Sequence, residues 1–182
     1  MNNKLKISLI LLFFASTAIS YGQTTQALTA PSKAEIFDEL KIELDPANNE
    51  IDFGRLPTTT SGIVRLDPNS FSRNIVANPT TTKVAQFDIS GQPGAGITVT
   101  YDDKVELVNG AEIMVMTSLV VGAGANTEKE TAIEFIDPTG TNVSLSDPDG
   151  RFFIWVGGTI EQYTNQAVGD YEGTFNISIA YN

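Results

Sequence analysis

The sequence predicts an all-β protein, an antiparallel β-sandwich of the immunoglobulin-like type, and three observations predict it. Apolar residues recur at every second position in short runs, turn-forming pairs separate those runs, and helix signals are weak. Each element of that reading follows from residues that can be named in chain order.

The chain opens with Lys4 and Lys6, continues with an apolar run from Ile7 to Phe14, and reaches small residues at Ala15, Ala18, Ser20 and Gly22. This three-part layout is that of a secretory signal peptide, expected over residues 1–22. Cleavage after Ser20 and cleavage after Gly22 both place small residues at the required positions, and the sequence leaves that choice open. The run is shorter than the roughly 20 apolar residues a spanning helix needs, and no later stretch is long enough, so no membrane insertion is expected after cleavage. The destination is therefore export, to the periplasm, the cell surface or the medium.

A flexible leader is expected over residues 23–33, where Thr, Gln and Ala dominate without an apolar period. A single β-sandwich domain is expected over residues 34–182. Pro31 to Leu40 carries a short helix signal, with Ser32 as N-cap and Glu35 three residues on, but Leu40, Ile42 and Leu44 continue in strand period.

Further alternating runs follow: Phe87 and Ile89; Ile97, Val99 and Tyr101; Ile113 and Val115; Val143 and Leu145. Period two sets one side of each run against a core and the other in water. Four of the eight prolines follow aspartate, at Asp45-Pro46, Asp67-Pro68, Asp137-Pro138 and Asp147-Pro148. The carboxylate can bond its own backbone while proline holds φ, so each pair stops a strand and starts a turn. Asn109-Gly110 and Asp149-Gly150 supply residues suited to positive φ, as hairpins require. Together these signals predict about eight to ten strands. Arg151 to Gly158 is apolar on both sides, which suits a strand in the middle of a sandwich and places Trp155 in the core rather than on a glycan-stacking surface.

The last element has the clearest pattern. Tyr171, Gly173, Phe175, Ile177, Ile179 and Tyr181 alternate with polar or small residues to the end of the chain. Such a strand is either built into the sheet or offered to a partner.

Catalytic chemistry finds little support. The sequence contains no histidine and no cysteine, which removes His-dependent triads, thiol nucleophiles, the usual zinc sites and any disulfide. No enzyme activity and no cofactor are expected. Gly122-Ala123-Gly124 lacks the third glycine of a dinucleotide loop and reads as a flexible strand connection. Asp102 and Asp103 are adjacent at a strand end, so their carboxylates diverge instead of facing each other across a cleft as glycoside hydrolysis needs. Asp147-Pro148-Asp149-Gly150, with Asp137 nearby, offers hard oxygen ligands for calcium but not the six to eight that the ion takes, and a plain β-turn is the simpler reading. The formal net charge is −11, and loss of Lys4 and Lys6 with the signal peptide makes the mature chain more acidic. That charge opposes binding to nucleic acid and to anionic lipid.

Five stretches resemble a secreted bacterial domain family catalogued as a domain of unknown function, in that family's order. They are Ile51-Asp52-Phe53-Gly54, Ser61 to Pro68, Phe87 to Gly91, Trp155 to Thr159 and Gly169 to Phe175, so the likeness runs from about Ile51 to Asn182. The ending is also similar to chaperone–usher pilus subunits and their spore-coat-U-like relatives. Those subunits carry a penultimate tyrosine and a glycine fourteenth from the end, positions held here by Tyr181 and Gly169. The resemblance implies a pilin-like sandwich, a structural or adhesive surface role, and self-assembly or a periplasmic chaperone as partner. It assigns partner binding to Gly169, Tyr171, Phe175, Ile177, Ile179 and Tyr181. Many pilus subunits have a disulfide, and their donor strand alternates strictly, whereas Gln23 to Ala30 does not. A self-contained sandwich that uses the same last strand internally stays open beside the fimbrial reading, and a secreted glycan- or calcium-dependent binding module is the alternative.

Overall fold

The computed structural model describes residues 33–70, 72–73 and 82–182. The chain divides into two units, 1–35 and Ile36–Asn182. In the first, residues 33–35 are described and form neither helix nor strand. The signal peptide and most of the leader lie outside the described residues, as does the start of the helix considered over 31–40; residues 33–40 contain no helix.

The second unit is antiparallel and almost entirely β. Its strands are β1 (Lys41–Leu44), β2 (Val64–Asp67), β3 (Ser72–Arg73), β4 (Ala85–Ser90), β5 (Gly96–Tyr101), β6 (Lys104–Asn109), β7 (Glu112–Ala123), β8 (Ile133–Phe135), β9 (Thr141–Ser144), β10 (Arg151–Ile160) and β11 (Ile177–Tyr181), with one 3-10 helix at Asn126–Thr131. Eleven strands among the described residues exceed the eight to ten expected, because two- and three-residue strands such as β3 and β8 are too short to show a period.

Local chemistry explains the strand ends. The carboxylates of Asp45, Asp67 and Asp137 each accept a hydrogen bond from the backbone N–H two residues on, at 2.8–2.9 Å, so these three Asp-Pro pairs turn the chain as predicted. The β6–β7 hairpin turns through Gly110 at φ +63°, with Asn109 opposite Glu112. Gly150 has the same φ, and a Cβ there would lie 2.1 Å from the Gly91 carbonyl oxygen, so the β9–β10 connection demands glycine twice over.

The first sheet is organised by β10 and β7, which pair from Phe153–Ala123 to Ile160–Met116. The opposite edge of β10 takes β4 and then β2. The opposite edge of β7 takes β6 and then β8. Strand β1 adds outside β4, and β3 outside β2. The second sheet has three strands in the order β11-β5-β9. It packs on the first through an apolar cluster that joins Ile97 and Val99 of β5 to Ile89, Val120, Phe152, Ile154 and Val156. A second cluster holds Phe53, Leu66, Phe153 and Trp155, so both sides of β10 are covered, as its sequence predicts. Trp155 is fully buried, and its indole N–H donates to Gln86 Oε1 at 3.0 Å.

Two expectations are corrected. At the start of β7 the side chains that enter the core are Met114 and Met116, while Ile113 is 51 % exposed and Val115 is also exposed. All four residues are apolar, so their own pattern cannot set the facing; the pairing with β6 and β10 does. Gly122-Ala123-Gly124 is not a flexible connection: Gly122 and Ala123 end β7. A Cβ on Gly122 would meet the Phe152 and Phe135 rings at 2.5 and 2.7 Å, so the glycine makes room for that ring pair, whose centroids lie 6.3 Å apart.

Candidate strand-docking site

Strand β11 pairs only with β5, from Ile177–Tyr101 to Tyr181–Ile97, and its other edge has no partner among the described residues. The start of the strand is pinned by Asp102, whose carboxylate accepts from the Asn176 backbone N–H at 2.9 Å and its side-chain amide at 2.8 Å. Its inward side chains, Ile177, Ile179 and Tyr181, are only half-buried, whereas Ile97 and Val99 beside them on β5 are fully buried. An apolar ladder held at that intermediate burial marks an edge short of one neighbour.

The edge strand of the first sheet, β1, borders the same cluster through Leu40 and Ile42. At the β1 start, the two edges are tied together. The Tyr181 hydroxyl donates to the Asp38 carbonyl and accepts from the Gln92 N–H, both at 2.8 Å, and its ring lies 5.0 Å from that of Phe37. At the other end, beyond Leu44 and before Ile177, the seam opens into a cleft of about 980 Å³. Residues 49–58 form one wall and 166–175 the other, and Val105, Leu107, Met114 and Met116 form the floor.

Hydrogen bonds hold these walls in place. The Tyr163 hydroxyl donates to the Pro57 carbonyl at 2.8 Å, Gln166 N–H donates to Thr58 O at 2.9 Å, and Glu172 and Val108 exchange backbone bonds of 2.8 and 3.2 Å. Phe175 stands at the junction, packed against both clusters and 6.2 Å from the Phe87 ring.

The six residues singled out in the sequence therefore separate into two groups. Phe175, Ile177, Ile179 and Tyr181 line the seam and the mouth of the cleft. Gly169 and Tyr171 lie on the cleft wall, and the Tyr171 hydroxyl accepts from Gln166 Nε2 at 2.8 Å and donates to Ala167 O at 3.1 Å. Gly169 has φ +154°, and a Cβ there would stand 2.2 Å from Asn109 Nδ2 and displace that amide. The single strand expected from Tyr171 onward is corrected: burial alternates only from Phe175 to Tyr181, with Glu172, Gly173 and Thr174 all exposed, and pairing into β11 begins at Ile177. Before it the chain bridges to β6 at Glu172–Val108 and presses Gly173 toward Glu106 O, where a Cβ would sit at 2.4 Å. The segment is shared between two sheets, which a period of two cannot reveal.

The cleft itself was not foreseen, because its walls are irregular segments without periodicity. Arg55-Leu56-Pro57 and the apolar residues Tyr163 and Tyr171 inside polar loops are the signals that mark it.

Other candidate chemistry is dispersed. The Asp102 carboxylate is turned to Asn176, while Asp103 offers its backbone carbonyl to Ser118 N–H. The Asp137 carboxyl is held below the usual carboxylate range, first by the Thr139 hydroxyl and then by the Thr139 N–H. Among the described residues no three acidic side chains gather as a metal-holding group, and none of their helices is long and apolar enough to cross a membrane.

The family model for a domain of unknown function, DUF4402, matches residues 44–181. The chain belongs to the DUF4402 family. The matched span begins at Leu44 on the cleft and ends at Tyr181 on the last strand, so it includes nearly all of the candidate site. It also spans the five stretches that carried the family resemblance in the sequence. No curated protein matches the chain.

Proposed function

We propose that this DUF4402 protein is an exported, non-enzymatic structural or adhesive surface protein of fimbrial type that works by strand addition along β11. The observation that carries the reading is the unfilled seam: a half-buried apolar ladder on a free edge, continuous with an open cleft. Main-chain pairing along such an edge supplies affinity, and alternate side chains of the added strand fill the space beneath. The layout of residues 1–22 supports export, and the lack of histidine and cysteine supports a role that needs no catalysis. Self-assembly and a periplasmic chaperone are the two partner classes that fit a strand-accepting edge. Glycan stacking, the rival reading, depended on a surface-exposed Trp155, and that ring is buried.

The test is oligomeric state by size exclusion with light scattering, on residues 23–182 and on a form lacking 23–32, together with titration of the monomer with an uncharged alternating apolar peptide. Uptake of the peptide, or multimers that vanish with the deletion, is the expected result. Replacing Phe175 and Ile177 with aspartate should abolish either behaviour or folding itself. A monomer in both forms that ignores the peptide sinks the reading. Mass spectrometry of the secreted fraction should place the mature N-terminus at Tyr21 or Gln23, and recovery of the full-length chain in the cytoplasm would remove the export part.

A further inference from the structure

The floor of the cleft is apolar, but its rim is not. Glu50, Asp52, Asp170 and Glu172 line it against one basic side chain, Arg55. Two of these carboxylates are already answered inside the protein. Glu50 pairs with Lys83, and Asp52 accepts from the Gly54 N–H at 2.7 Å. Asp170 and Glu172 sit on the opposite wall, exposed to solvent, and the two backbone bonds between Glu172 and Val108 hold that wall in place. An excess of carboxylates over an apolar floor, in a chain of net charge −11, focuses a negative potential at the mouth.

Resting on the strand-addition reading above, we infer that the strand this site takes up is basic: an extended polypeptide segment of a different protein, apolar on its inward side and carrying lysine or arginine where it crosses the Asp170–Glu172 wall. A second copy of this chain is the poorer occupant. Its body repels the mouth, and its residues 23–32 bear no charge and offer Leu28 as their one large apolar side chain. Natural interiors are close-packed, so a cleft of this size over the four apolar side chains of its floor calls for an apolar filling. The acidic rim then selects among apolar strands by charge, which acts chiefly on encounter and on rejection of wrong partners.

Three labelled peptides with the same alternating apolar core, flanked by lysine, by glutamate or by neutral residues, test this on the mature protein by fluorescence anisotropy. The lysine-flanked peptide should bind about tenfold tighter than the glutamate-flanked one at low salt. The gap should close at about 0.5 M salt, where screening is short-ranged. The double variant Asp170→Asn, Glu172→Gln should remove most of the gap while leaving the neutral peptide unchanged. Equal affinity for the lysine and glutamate peptides, or tighter binding of a peptide copied from residues 23–32, overturns the basic partner and leaves strand addition standing. Binding of none of the three overturns both.

Discussion

Strands β10 and β11 are both written in apolar residues, yet they fare differently. Strand β10 is buried on both faces and paired along both edges, with β7 on one side and β4 and β2 on the other. Strand β11 has one neighbour among the described residues, and none of its inward side chains is fully buried. Burial of a strand thus follows how many neighbours it has, and under the strand-addition proposal the shortfall at β11 is where a further strand would add.

The sharpest way to break this comparison is to truncate one side chain in each strand. Trp155→Ala should lose about 3–5 kcal/mol in chemical denaturation, since it opens a cavity and leaves Gln86 without its donor. Ile179→Ala should lose less, about 1 kcal/mol, because part of its surface is already in water. Equal losses would mean that β11 is as integrated as β10. An effect smaller than that at Trp155 is expected at Gly157, where a Cβ would lie 2.2 Å from Leu66 O. Gly157→Ala should cost about 1–3 kcal/mol by forcing β2 away from β10, and a neutral result would show that this close approach is dispensable.

The smallest effect is at Tyr101, which pairs with Ile177 and donates its hydroxyl to Phe135 O at 2.8 Å. Burial, then the charges of Asp103, Asp137 and Glu134, push its phenol above the usual range. A raised pKa of an acid favours the neutral form in the fold. The stabilisation is therefore fully present below pH about 10, the ordinary phenol value, and is lost as pH rises through the folded pKa. Tyr101→Phe should cost about 1 kcal/mol at neutral pH through the lost hydrogen bond and flatten the alkaline decline seen by thermal melts. An unchanged alkaline slope would remove Tyr101 as its source.

Much of the fold was legible because short-range chemistry writes it. Asp45, Asp67 and Asp137 turn the chain by bonds to backbone two residues away, and the two-sided apolar run at Phe152 to Val156 announces a central strand. Legibility ended where both faces carry the same chemistry. Ile113 to Met116 reads equally well in either phase, and long-range pairing chose the methionines. The candidate docking residues Ile177, Ile179 and Tyr181 stood out by alternation, but the Asp170–Glu172 wall did not, because exposed acids are ordinary in a chain of this charge.

By itself, the amino-acid sequence determined the all-β class, the turn positions and the apolar face of the last strand, since each depends on neighbours within a few residues. Tertiary structure alone decided that the outer edge of β11 has no partner among the described residues, that residues 171–175 cross from one sheet to the other, and that an acidic-rimmed cleft opens beside them. Those features depend on which distant segments meet, as Glu172 meets Val108 and Tyr181 meets Asp38, and a local period carries no record of such meetings.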